Sequence, residues 1–140
     1  MESKEESGGY VVIKLSHGED VLECLRKAVS EHEITSGFVL MGVGMFSHVR
    51  IGYYTKEGYE SQDLDEPHEL VDLHGSISTK GEVVIHLHCG LANSNHEMVG
   101  GHLFRAKACM VNEILVKKLS DVELDRKFNT ETGLKELTVG

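Results

Sequence analysis

The stretch Glu82-Val-Val-Ile-His-Leu-His-Cys-Gly-Leu91 constrains this chain more than any other. Its odd positions from Val83 to Leu91 are all apolar, and its even positions include Val84, His86 and His88. Successive side chains of a strand point to opposite faces, so a period of two predicts a strand with one face in a core. His86 and His88 share the other face. An H-x-H pair on one strand aims two imidazoles at one point, which suits zinc, whose nitrogen ligands sit at about 2.0–2.1 Å.

A third nitrogen donor is available in Val99-Gly-Gly-His-Leu-Phe-Arg105. If the two strands form a hairpin over the polar loop 92–98 with His88 opposite His102, direct partners share a face with Cβ atoms about 4.5–5.5 Å apart. His86 then lies diagonally within reach. Placing His86 opposite His102 instead keeps the parity, whereas a slip of one residue moves His102 to the other face. Gly100-Gly101 is where a bulge could cause such a slip. His86, His88 and His102 are therefore the candidate metal ligands, with Zn2+ or another divalent transition metal as the cofactor. Three histidines with an open fourth position form the catalytic pattern of zinc sites. The plainer reading leaves them as partly exposed strand residues in a chain with nine histidines. Ordinary histidine titrates near 6.5, so retention of the metal is expected to fall below about pH 6.

The remaining histidines are weaker candidates. His96 lies in the 92–98 loop and reads as surface. His74 shares a polar strand face with Asp72 and Ser76, lining a pocket or facing solvent. His68 follows Pro67 in an acidic loop and is expected to be exposed, as are His17, His32 and His48. Cys89 points away from His88 and reads as a core thiol. Arg105 reads as a solvated or interface cation. Gly42-Val-Gly44 lacks the third glycine and the following helix of a dinucleotide site.

The rest of the chain fits the same architecture. Residues 10–15 predict a strand. Ser16 and Glu19 match a capping box, and Val21, Leu22, Leu25, Ala28 and Val29 continue at helical spacing toward Glu33. From Gly37 onward the pattern is β: a buried strand over 38–45 with a bulge at Gly42 or Gly44, strands over 48–55, 70–78 and 82–91, and one or two more over 101–119. Residues 57–69 predict a loop or edge excursion. Residues 1–9 read as a disordered leader, 10–119 as one domain, and 120–140 as a short helix or tail. One helix among many strands predicts an α+β fold, a mainly antiparallel sheet or partial barrel.

Charge narrows the partners. The net charge of −9 opposes binding to a phosphate backbone. No apolar run is long enough for a membrane span, and the polar, acidic start does not resemble a signal peptide. Three cysteines without C-x-x-C spacing predict a reducing, cytoplasmic setting.

These residues resemble the plant-and-prokaryote conserved (PPC) domain in its stand-alone prokaryotic form. The resemblance rests on Gly18-Glu-Asp-Val21, on Gly42-Val-Gly-Met-Phe-Ser47 running into Val49-Arg-Ile-Gly-Tyr-Tyr54, on Glu69-Leu-Val-Asp-Leu-His-Gly-Ser-Ile-Ser78, and above all on His86-Leu-His88 followed by Gly100-Gly-His-Leu103. It spans residues 10–119. It implies an α+β fold with an antiparallel sheet and a homotrimer. Plant members carry AT-hooks for DNA, and this chain has no Arg-Gly-Arg core of one. The histidines are also similar to the metal site of acetolactate decarboxylase, where an H-x-H and a later histidine hold zinc; this implies His86, His88 and His102 as ligands and carries no decarboxylase activity with it. Three functions stay open: a zinc-dependent enzyme-like pocket of hydrolase or lyase type for a small molecule, a trimeric protein-interaction module, and a DNA-associated regulator lacking an AT-hook.

Overall fold

Alternating apolar residues drive most of the chain into strands. The computed structural model describes residues 1–140, with one helix, α1 (Val21–Glu31), and nine strands: β1 (Glu2–Glu5), β2 (Tyr10–Leu15), β3 (Ser36–Thr55), β4 (Gly58–Leu64), β5 (His68–Ser78), β6 (Val84–Ala92), β7 (Met98–Lys118), β8 (Leu124–Asn129) and β9 (Leu134–Val139). The first seven form one sheet in the order β1-β2-β7-β6-β5-β3-β4, and β7 also pairs with β3. All pairings within it are antiparallel. The extra pairing closes β3, β5, β6 and β7 into a ring, with β1, β2 and β4 outside it. This is the α+β, mainly antiparallel arrangement that the pattern predicts.

The core explains the alternation. Val11, Ile13 and Leu15 of β2 and Leu87, Cys89 and Leu91 of β6 are buried, and α1 adds Val21, Leu22, Leu25, Ala28 and Val29. Of the other two residues expected on the β6 core face, Ile85 is partly buried and Val83 is exposed just before β6 begins. Truncating a fully enclosed side chain such as Leu87 to alanine is expected to cost about 2–5 kcal/mol.

Several boundaries differ from the expectation. Residues 1–9 are not a disordered leader: β1 pairs with β2 from Glu2↔Lys14 to Glu5↔Val11, and His32 Nε2 lies 2.9 Å from Ser3 Oγ. Helix α1 starts after an Asp20 cap, whose Oδ1 accepts from Glu23 N at 3.0 Å. The Ser16–Glu19 pair forms, with Glu19 Oε2 accepting from Ser16 N at 2.7 Å, but in the turn before the helix. The helix ends at Glu31, and His32 supplies its cap.

Three further differences concern the strands. Segments 38–45 and 48–55 form the single strand β3, whose register against β7 shifts at four points. Part of the excursion 57–69 is the edge strand β4, paired from Val49↔Leu64 to Thr55↔Gly58. Residues 124–139 make neither helix nor tail, but a β8–β9 hairpin seated on the sheet through Leu124, which is buried and donates its N–H to Ser36 Oγ at 2.9 Å. The stretch expected to be buried around Leu40 is half exposed in the single chain: Phe38, Leu40, Met41 and Val43 face solvent while Val39 and Phe46 face the core.

Candidate metal centre

The register on which the histidine site depends is realised. In the β6–β7 ladder His88 lies opposite His102, Cys89 opposite Gly101 and Gly90 opposite Gly100, so the double glycine introduces no bulge there. On the other edge of β6, Ser76 lies opposite His86 and His74 opposite His88. The two strands come very close between these pairs: a Cβ on Gly75 would sit 1.8 Å from the His86 carbonyl oxygen, so only glycine fits.

His86, His88 and His102 converge. Their ring centroids are 5.1–5.6 Å apart, and one nitrogen from each lies within 4.8 Å of the others. Tetrahedral zinc at about 2.0–2.1 Å sets its nitrogens about 3.4 Å apart, a distance that ring rotations reach from this arrangement. His86 and His102 are half-buried, and His88 is exposed. The ring of Tyr59 lies 5.1 Å from His102 and that of Phe104 4.6 Å. Gly52, opposite His102, leaves room for them, since a Cβ there would stand 2.4 Å from the Phe104 ring.

The electrostatics favour lone pairs over protons. Burial, followed by His102, Arg126 and His88, pushes His86 down to about 4. Burial also holds His88 and His102 below the ordinary histidine value, with His74 acting on His88, and His88 on His102, in the same direction. All three rings are therefore neutral at pH 7, the form that ligates a metal. His102 Nδ1 is buried without a hydrogen-bond partner. A buried polar atom left unpaired is costly, and a metal ion would satisfy one placed among imidazoles. Three neutral nitrogens with no carboxylate among them suit zinc better than magnesium or calcium.

Two clefts flank the cluster. One, of about 510 Å³, runs between β3 and β5 and is lined by Phe38, Leu40, His74, Ser76, His86 and His88. The other, of about 470 Å³, lies under the β8–β9 hairpin, where His86 and His102 meet Tyr59, Arg126 and Leu137. A larger concavity of about 580 Å³ beside the chain end holds none of the histidines.

The other candidates sort by position. His74 is exposed, with its Nδ1 2.8 Å from Asp72 Oδ2, and stands at the rim of the site outside the three-histidine group. His96 is exposed in the β6–β7 turn. His17 and His48 are exposed as expected. His32 is partly buried, and His68, expected to be exposed, is buried with its Nδ1 2.8 Å from the Glu66 carbonyl oxygen. Cys89 is buried, and burial pushes its thiol up to about 11, as befits a core thiol. Arg105 shares Asp63 with Arg50 on the surface.

Sequence reasoning missed Arg126, Tyr59 and Phe104. Arg126 sits in a segment with no motif, and only the folded hairpin brings it to His86, with Nη2 at 3.5 Å from Nδ1.

Comparison with known proteins finds relatives of the fold. Residues 2–120 match the family model of the Plants and Prokaryotes Conserved (PCC) domain. A metal-containing protein from Archaeoglobus fulgidus is similar in structure, with a TM-score of 0.85, 28% identity and 99% of each chain covered. A protein from Bacteroides thetaiotaomicron, described as a candidate DNA-binding protein, superposes with a TM-score of 0.89 at 23% identity over 98% of this chain and 96% of its own. A Pyrococcus horikoshii PPC protein gives 0.80 at 24% identity, covering 96% and 92%. Those last two likenesses concern the fold. Among curated proteins, the Bifunctional protein GlmU of a Synechococcus strain is 27% identical over 130 residues; the match covers 91% of this chain but only 20% of that protein's length.

Proposed function

This chain belongs to the Plants and Prokaryotes Conserved domain family, and we propose that it is a zinc protein in which His86, His88 and His102 hold the ion and leave a coordination position open toward a small-molecule cleft. The observation that carries this reading is the convergence of three neutral imidazoles in one ladder, with their donor nitrogens within 4.8 Å. The likeness to a metal-containing protein from Archaeoglobus supports it. Zinc, when bound, supplies Lewis acidity for hydrolase- or lyase-type chemistry on a carbonyl compound.

The chain's own residues provide the rest. Tyr59 and Phe104 wall the site on the His102 side and restrict water there. His88, the exposed ligand, marks the open side. Opposite it, His74 with its Asp72 partner is placed to hold a proton at the rim of the cleft. We further infer a cytoplasmic homotrimer, consistent with the free cysteines and with the apolar residues exposed on β3.

The decisive measurement is zinc per chain by elemental analysis, for the parent and for His86→Ala, His88→Ala, His102→Ala, His74→Ala and His96→Ala. The first three variants keep two protein ligands and should lose tight binding, while the last two should retain most of the metal. Circular dichroism should show all five folded, because Leu87, Cys89 and Leu91 build the core from the opposite face. Equal metal in all six proteins, or none in the zinc-loaded parent, rules the site out. The DNA reading stands behind this one: with net charge −9, phosphate neutralisation has no obvious carrier. A mobility shift that survives physiological salt and weakens steeply as salt rises would restore it.

A further inference from the structure

The β8–β9 hairpin lies beyond residue 120, where the family match ends, yet it delivers a guanidinium to the histidine cluster. Arg126 Nη2 donates to Ser76 Oγ at 2.6 Å, and Nη1 donates to the Lys135 carbonyl at 3.3 Å. Its Nε is buried and has no hydrogen-bond partner. Arg50 and Arg105 both rest on the Asp63 carboxylate, whereas Arg126 has no carboxylate partner. The nearby ionic groups are already engaged: Lys135 pairs with Glu82, and the Glu136 carboxylate accepts from Asn129 Nδ2 at 2.9 Å and from Thr132 Oγ1 at 2.8 Å. A partly buried cation beside three histidines, with donor capacity unused, lacks its anion.

We propose that Arg126 anchors the carboxylate of a small organic acid in the cleft of about 470 Å³ between the hairpin and the histidines. A guanidinium makes a strong, charge-assisted hydrogen bond to a carboxylate, here through the N–H groups of Nη1 and Nη2 that Ser76 and Lys135 leave over. Tyr59, Leu134 and Leu137 give the cavity apolar walls for a short carbon skeleton, and its charged lining is Arg126, Lys135 and Glu136, two cations to one carboxylate. The assignment deepens the zinc reading and rests on it for the second contact, since the far end of such an acid points at His86 and His102. It also gives the hairpin a role: it completes the cleft and sets which molecules enter.

The probe is malonate, titrated calorimetrically into the zinc-loaded full chain, with neutral malonamide and inorganic phosphate in parallel and zinc content measured on each sample. The parent should bind malonate and ignore malonamide. Arg126→Gln should bind malonate at least tenfold more weakly with its zinc unchanged, and Arg126→Lys should fall between. Equal affinity in parent and Arg126→Gln, or no malonate binding by the parent, overturns the proposal. Phosphate bound more tightly than malonate and through Arg126 overturns the carboxylate assignment.

A readout on the parent alone guards against a variant that does not fold. Labelling of Arg126 by a 1,2-dicarbonyl reagent, mapped by mass spectrometry, should slow in malonate, and absence of protection counts against the anchor. Should the parent hold no zinc, the metal reading fails separately, and the same malonate comparison on the metal-free protein decides Arg126.

Discussion

At the scale of single residues, the site is governed by how far its imidazoles are removed from water. His86 is pushed down to about 4, first by burial and then by His102, Arg126 and His88, and burial also lowers His88 and His102. An unfolded histidine takes up its proton near 6.5. As pH falls below that value the unfolded chain gains protons that the folded site refuses. The stability contributed by keeping His86 neutral is thus intact above about 6.5 and is lost progressively toward about 4. The same depression delays proton competition with a bound metal, so the release expected from ordinary histidines, below about pH 6, moves lower. Zinc retained after equilibration at a series of pH values should show its midpoint below 6, and a midpoint at or above 6.5 would contradict the buried-site electrostatics.

At the scale of elements, legibility followed the range of the signal. The β6 strand was readable because period two assigns each side chain to a face, and one further histidine at the right parity completed the constellation; His88↔His102 realises that pairing. The helix was readable through its apolar spacing, though its cap is Asp20, while the Ser16–Glu19 pair closes the turn before it. What could not be read depended on partners distant in sequence. Residues 2–5 are too polar to suggest a strand and become one only by pairing with residues 11–14 of β2. The β8–β9 hairpin likewise shows little alternation of its own, and with it went Arg126, the residue that closes one side of the cleft. His68 was misplaced for a related reason: the acidic composition around it says surface, while its pairing with Phe46 carries it inside.

At the scale of the whole molecule, the outer surface of the β2–β7–β3 region carries a stripe of exposed apolar side chains, the surface on which the proposed self-assembly would rest. Val12, Leu115 and Met41 lie side by side as direct partners across the three strands. Direct partners share a face, and Val12 and Met41 are exposed, as are Val43 and, nearby on β7, Met110 and Val111. Each such side chain is about half exposed, so taking the rest of it out of water stabilises an assembly by about 1 kcal/mol, half the value for burying a fully exposed one. A second and third copy of the chain are the occupants that the family resemblance implies. Light scattering of the parent at micromolar concentration should therefore report roughly three times the chain mass of 15.5 kDa. Met41→Asp places a carboxylate in the middle of the stripe, where an unpaired buried charge costs several kcal/mol. A loss of about 2.7 kcal/mol already weakens association about a hundredfold. The variant should run as a monomer with an unchanged circular dichroism spectrum, because Met41 does not reach the core on the other face. A parent that scatters as a clean monomer would leave the stripe without a role in self-assembly.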